Sequence, residues 1–182
     1  MIRLVVFLGN AGPIYAGNRH NVAWQFAESL EVLRDAHWQR KFRGLYACVG
    51  DVYYLKPHTF MNLSGESAGE LARFYKIEPA QILVVHDELE LPLAAMSAKW
   101  AGGLGGHNGL RSIEACLGTR DFWRLRFGIG RPPHDDVAGY VLSDFLPEER
   151  DALGVIFSAA ASLFCNLLSA EPVATGRVTI EL

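Results

Sequence analysis

Residues 2–8 are apolar except for Arg3, and the run stops at Gly9, the pattern of a central strand buried on both faces. After a loop over 10–20, Val22, Phe26, Leu30 and Leu33 recur at spacings of four, four and three, which predicts a helix with all four on one face. Residues 45–49 and 52–55 flank Gly50-Asp51 and read as a hairpin, because glycine accepts the positive φ of a tight turn. Ser64 is placed to cap a helix carrying Ala68, Leu71 and Phe74 inward, and residues 82–85 form a second short buried strand. Leu110, Ile113 and Leu117 mark a short helix, and 125–129 is strand-like before the breaker run 130–133. Pro147-Glu148-Glu149 then suits a helix start and its dipole. Residues 152–170 carry no charge, long enough to raise the question of a membrane span. Leu153, Ile156, Phe157, Ala160, Phe164, Leu167 and Leu168 nevertheless recur at helical spacing with small and polar residues between them, so a helix covering a sheet is the better reading. The alternation of strands and helices, without repeat or linker, predicts one α/β domain over 1–182: a mixed twisted sheet flanked by helices on both faces.

Composition narrows the class. Of 182 residues half are hydrophobic and a fifth charged, which excludes a disordered chain. Cys48, Cys116 and Cys165 are odd in number and form no CxxC, so neither a disulfide framework nor a thiolate metal site is expected. The early apolar run is too short for a signal peptide, and the cytoplasm is the expected compartment. Charge is uneven although the net is only -3. Residues 97–133 hold six basic side chains (Lys99, Arg111, Arg120, Arg124, Arg126, Arg131) against Glu114 and Asp121, or +4, whereas the remaining 11 basic and 18 acidic residues give -7. Such a zone suits a polyanion, RNA or a phosphorylated cofactor; a merely solvated basic face explains the charge equally well.

In an open α/β sheet, ligands gather beyond the carboxyl ends of the strands. Three segments fall there: Gly9-Asn10 with Arg19-His20-Asn21 close behind, His86-Asp87-Glu88, and the glycine loop 102–109. The dinucleotide fingerprint fails, since Asn108 stands where its last glycine should be, and there is no Walker lysine. A nucleophile elbow is absent at Ser64, and isolated cysteines serve best as small core residues. His37, His58 and His134 read as surface residues and His86 as a satisfied structural side chain. His20 differs, because it lies in a rim loop where Asp87 from a second loop can fix its tautomer, so the pair can activate water as a general base. Asn10, Asn62 and Asn108 supply amides that hold a main chain or polarise a carbonyl. Residues alone therefore predict a hydrolase. A metal site built from His20, His86, Asp87 and His107 is the rival, unsupported by any HExxH spacing.

Five ordered strings carry a resemblance: LGNAGPIYAGNRHN (8–21), KPHTFMNLSGES (56–67), VVHDELELP (84–92), GGLGGHNGLRSI (102–113) and FWRLRFGIGRP (122–132). Together they resemble the signatures of bacterial peptidyl-tRNA hydrolase. The resemblance implies a cytoplasmic, monomeric, cofactor-free and metal-independent esterase with a mixed sheet wrapped by helices. It cleaves the bond between a stalled peptide and its tRNA. Carried over, it makes His20 the base, Asp87 its orienting partner, and Asn10 and Asn62 the groups positioning the peptide end and ester carbonyl. Asn108 and His107 bind substrate, Tyr15, Phe60 and Met61 line the cleft near the CCA 3′ end, and Lys99 and Arg126 clamp the tRNA 5′ phosphate. Ala11 stands where the family usually has proline, Leu104 replaces a polar residue, and the only cation after Arg150 is Arg177. Plastid relatives that act as RNA-splicing partners supply the alternative, a non-catalytic RNA-binding protein on the same fold.

Overall fold

The computed structural model describes residues 1–133, 135–169 and 175–179; His134 lies outside them. The strands are β1 (Leu4–Phe7), β2 (Gln39–Lys41), β3 (Gly44–Val49), β4 (Val52–Pro57), β5 (Ile82–Glu88), β6 (Ala95–Trp100), β7 (Trp123–Gly128) and β8 (Gly176–Thr179). They form one mixed sheet in the order β2-β3-β4-β1-β5-β7-β6-β8. The four central strands β4, β1, β5 and β7 run parallel, and antiparallel pairs close both sides. β1 is fully buried, as its unbroken apolar run requires. The chain leaves β1 toward β4 on one side and later places β5 on the other, so the ends of β1 and β5 bound a crevice where the strand order reverses.

Helices cover both faces: α1 (Val22–Ser29), α2 (Ser64–Tyr75), α3 (Asn108–Leu117), α4 (Val137–Val141) and α5 (Pro147–Ser169). Phe7, Phe26, Phe127, Phe157 and Phe164 fill the core under α1 and α5, while Leu4, Val6, Leu71, Leu110 and Ile113 fill the core under α2 and α3. Among the described residues α5 is the one helix long and apolar enough to cross a membrane. Its predicted stripe is nevertheless spent on the sheet and α1, with the Phe164 ring 6.3 Å from that of Phe7 on β1 and 5.6 Å from that of Phe26 on α1, and the Phe157 ring 5.8 Å from that of Phe127 on β7.

Several local expectations change. α1 stops at Ser29, because Leu30 turns extended and a separate 3-10 turn, Glu31–Leu33, brings Leu33 back to the core. Ser64 does not cap α2: its hydroxyl donates to the Met61 carbonyl at 2.9 Å. Phe74 is 59% exposed, since it lies on the far side of α2 from buried Ala72, and it packs on Phe42 instead. His58 is half-buried against the Trp24 ring at 5.4 Å, not on the open surface. α2 and α3 touch through Gly65, where a Cβ would sit 1.9 Å from the Ser112 carbonyl oxygen; the Gly65 amide donates to Ser112 Oγ at 2.8 Å. That close approach fixes how α3 packs on α2.

Candidate active site

Just past β1, Asn10 is locked from two sides. Its backbone exchanges hydrogen bonds with the side chain of Asn21, the Asn10 amide donating to Asn21 Oδ1 and Asn21 Nδ2 donating to the Asn10 carbonyl, both at 2.9 Å. Its own Oδ1 accepts from the Met61 amide at 2.9 Å, which leaves Nδ2 as the donor offered to a ligand. Gly9 makes this possible, for any Cβ there would lie 2.6 Å from the Trp24 ring.

His20 sits on the 3-10 turn Arg19–Asn21 that leads into α1. Its neighbour Arg19 pins that turn, donating to Ser143 Oγ at 2.7 Å, the Asp144 carbonyl at 2.6 Å and Glu149 Oε2 at 2.6 Å, with its guanidinium over the Tyr140 ring. The imidazole Nδ1 lies 2.8 Å from Asp87 Oδ1. A carboxylate only accepts, so Nδ1 carries the proton and Nε2 keeps its lone pair.

Asp87 serves a second imidazole with the same oxygen, His107 Nε2 at 2.9 Å. His107 is also the N-cap of α3, its Nδ1 accepting from the amides of Gly109 at 3.1 Å and Leu110 at 3.4 Å. Two donors at Nδ1 require the proton on Nε2, so His107 is a fixed donor to Asp87. Burial pushes the Asp87 carboxyl up, but His20 and His107 beside it more than offset this and hold it well below the usual carboxylate range. The carboxylate is thus the anion that both imidazoles face.

These groups open into a cleft of about 620 Å³. Asn10, Tyr15, His20, Phe60, Met61, Asn62, Asp87, His107 and Asn108 all line it, so the three rim segments converge as expected. Phe60 is 68% exposed at the mouth, whereas Met61 is buried. The sequence reading missed Val137, Ala138, Val141 and Leu142, which line the cleft from α4 and the residue after it. Leu104 is buried in the core under α2 and α3, which accounts for an apolar residue in the glycine loop.

A sequence profile described as peptidyl-tRNA hydrolase matches residues 4–178. The chain belongs to the peptidyl-tRNA hydrolase family. It is 48% identical to peptidyl-tRNA hydrolase of Treponema pallidum, over 96% of this chain and 91% of that protein. It is 46% identical to that of Rhodospirillum rubrum, over 94% and 72%. A crystal structure of peptidyl-tRNA hydrolase from Acinetobacter baumannii superposes with a TM-score of 0.83 at 35% identity, covering 94% of this chain and 90% of that one. A peptidyl-tRNA hydrolase complexed with N-propanol gives 0.84 at 36%, covering 92% and 88%.

In this member of the family three cations of the basic segment, Lys99, Arg124 and Arg126, form a row on one face of the sheet. β6 and β7 pair with Lys99 opposite Arg124 and Ser97 opposite Arg126, so all four side chains share that face. Neither Lys99 nor Arg126 is among the residues lining the cleft. Arg126 donates to Ser97 Oγ at 3.1 Å and to Glu88 Oε2 at 3.2 Å, and Glu88 does line it. Arg124 is buried, donating to the carbonyls of Ala101 and Gly103, and thereby holds the glycine loop; burial pushes its guanidinium pKa down, as does Arg126 nearby. In the sequence it had counted only as charge.

The donor set can be tested against the metal reading. His20, Asp87 and His107 offer ligand atoms within 4.8 Å of one another. Yet Nε2 of His107 and Nδ1 of His20, the nitrogens facing Asp87, both carry protons in the hydrogen-bond pattern, so neither presents a lone pair there. The residues fit a hydrogen-bonded triad and not a coordination sphere.

His86 is only half satisfied, contrary to the sequence reading. Its Nδ1 donates to the Asp87 carbonyl at 2.6 Å, while Nε2 is buried with no hydrogen-bond partner among the described residues. Burial, with His107 adding to it, holds this imidazole well below the ordinary histidine value. Below pH about 6.5 the unfolded chain protonates this side chain and the native state does not, so stability falls with pH by up to about 1.4 kcal/mol per unit. Urea unfolding at about pH 7.5 and about pH 5.5 is expected to show a larger loss for wild type than for His86→Leu. Equal losses would place the acid sensitivity elsewhere.

Proposed function

We infer that this chain hydrolyses the ester bond joining peptide and tRNA in peptidyl-tRNA, with water activated by His20. The observation that carries the mechanism is the Asp87 carboxylate, which at 2.8 Å turns the His20 lone pair away from itself at the wall of the cleft. His20 Nε2 takes a proton from water as the water oxygen bonds to the ester carbonyl carbon. The negative charge that develops on the carbonyl oxygen is met by amide donors, Asn10 Nδ2 first, with Asn62 and Asn108 also lining the cleft. The tetrahedral centre then breaks its bond to the 3′-terminal ribose oxygen, which leaves with the proton held by the imidazolium. Peptide acid and free tRNA result, and the base is restored.

Tyr15, Phe60 and Met61 receive the CCA end, and Lys99 and Arg126 receive the 5′ phosphate on the adjoining sheet face. The chain works as a cytoplasmic monomer and as one domain over 1–182, a reading supported by the single sheet that all strands among the described residues join. Incubation with N-blocked aminoacyl-tRNA in the presence of a chelator tests the whole: ester cleavage should proceed undiminished. Failure to cleave would favour an RNA-binding role, and loss of cleavage with chelator would restore the metal.

Recognition has its own signature. A charge-assisted contact contributes roughly 1.5 to 3 kcal/mol, about ten- to over a hundredfold in affinity. Lys99→Ala and Arg126→Ala are each expected to raise KM for peptidyl-tRNA by that order with kcat nearly constant, and to flatten the dependence of log affinity on log salt. Unchanged KM in both would reduce the basic row to a solvated surface.

A further inference from the structure

The phosphate-binding reading leaves one group unexplained: an acid inside the basic row. Lys99, Arg124 and Arg126 share one sheet face, and Lys99 has no ion-pair partner among the described residues. Arg124 spends its terminal nitrogens on two backbone carbonyls. Glu88 is the carboxylate paired with this row, joined to Arg126 at 3.2 Å with the two side chains 13% and 17% exposed. The bond is long for a charge-assisted pair, which in a tight fork measures about 2.7 to 2.9 Å. Glu88 Oε1 is held as loosely, by the Glu90 amide at 3.2 Å. Nε of Arg126 is buried without a partner among the described residues, so this guanidinium is ordered but not saturated.

A terminal phosphate carries about -1.5 to -2 charges at neutral pH, more than one carboxylate supplies, and can displace it from Arg126. The displacement has a cost, and that cost is useful. The 5′ end of tRNA is untouched by ester cleavage, so whatever affinity it contributes applies equally to substrate and to product tRNA. An unopposed cationic row would therefore hold the spent tRNA as firmly as the substrate and slow its release.

We propose that Glu88 is an internal competitor for the tRNA 5′ phosphate: it occupies Arg126 in the free enzyme, yields it to the phosphate, and reclaims it to expel deacylated tRNA. The proposal rests on Arg126 being the phosphate ligand, as proposed above, and makes Glu88 a positioning residue that acts through Arg126.

The test is equilibrium binding of deacylated tRNA with and without its 5′ phosphate to wild type, Glu88→Gln, Arg126→Ala and the double variant. Glu88→Gln should tighten Kd for the phosphorylated tRNA by about three- to tenfold, the range of a partly buried ion pair, and leave the dephosphorylated tRNA much less affected. Preference for the phosphate thus widens. With Arg126→Ala in place, Glu88→Gln should change nothing. Steady-state inhibition by deacylated tRNA should strengthen in Glu88→Gln by the same factor. Equal tightening of both tRNAs would mean that removing a negative charge merely favours polyanions, and would overturn the proposal. If Arg126→Ala abolishes the phosphate preference while Glu88→Gln leaves it unaltered, Glu88 is not a competitor although the clamp stands; if wild type shows no preference, clamp and competitor fall together.

Discussion

His20→Ala is expected to lower kcat for N-blocked aminoacyl-tRNA by about 10²- to 10⁴-fold while tRNA affinity stays close to wild type. The reason is geometric. Nδ1 is committed to Asp87 at 2.8 Å, and the other nearby imidazole, His107, has both nitrogens engaged, one by Asp87 and one by the α3 amides. His86 also lines the cleft, but it is 1% exposed with its Nδ1 on a backbone carbonyl, and burial holds its imidazole well below the ordinary histidine value, which makes it a poor base. No other lining histidine can therefore substitute as a base. The recognition proposed for Lys99 and Arg126 would rest on β6 and β7, away from the cleft lining, and should survive the substitution. A variant with wild-type kcat, or one whose loss lies entirely in KM, would remove His20 from the chemical step.

The legible part of this site was the part written in strand ends. The apolar runs at 2–8 and 82–85 each stop at polar residues, and two parallel neighbours with those ends bring Asn10 and Asp87 to one crevice. What stayed hidden depends on distant partners. Arg19 looked like a companion of His20, but its role comes from residues 143–149, more than a hundred positions away. Asn21 matters because its amide brackets Asn10, and Arg124 because two loop carbonyls fall beside it. Strand β6 gave little signal, for its Ala, Ser and Lys residues have weak strand preference and the ladder to β7 holds it in place. β2 is exposed throughout and exists by pairing with β3. The end of α1 was misplaced because Leu33 reaches the core through a 3-10 turn that mimics the helical spacing. Periodicity reports which side chains go inward, and it is blind to how the backbone takes them there.

The same geometry makes Asp87 the position where two substitutions should separate charge from hydrogen bonding. Both imidazoles donate to one oxygen, Oδ1, at 2.8 and 2.9 Å. In Asp87→Asn the amide oxygen can occupy that place and keep both bonds, so what disappears is the negative charge. Charged and neutral hydrogen bonds differ by roughly 1 to 2 kcal/mol, which predicts a fall in kcat of about five- to thirtyfold. Asp87→Ala removes the acceptor altogether. Two N–H groups then face each other with nothing between them, His20 is free to turn its lone pair away from the cleft, and α3 loses the tie from its cap to β5. Unsatisfied buried donors cost about 1 to 3 kcal/mol each, which should appear as a measurable loss of stability, while the loss of the orienting acceptor should lower kcat further than Asp87→Asn does. The ordering is the claim: His20→Ala at or below Asp87→Ala, and both well below Asp87→Asn. If Asp87→Asn proves as damaging as Asp87→Ala, the charge on the carboxylate outweighs its geometry. A His107→Ala variant then distinguishes the causes. It leaves Asp87 charged with one imidazole fewer, and should slow the reaction only if the second donor is what holds the carboxylate in line with His20.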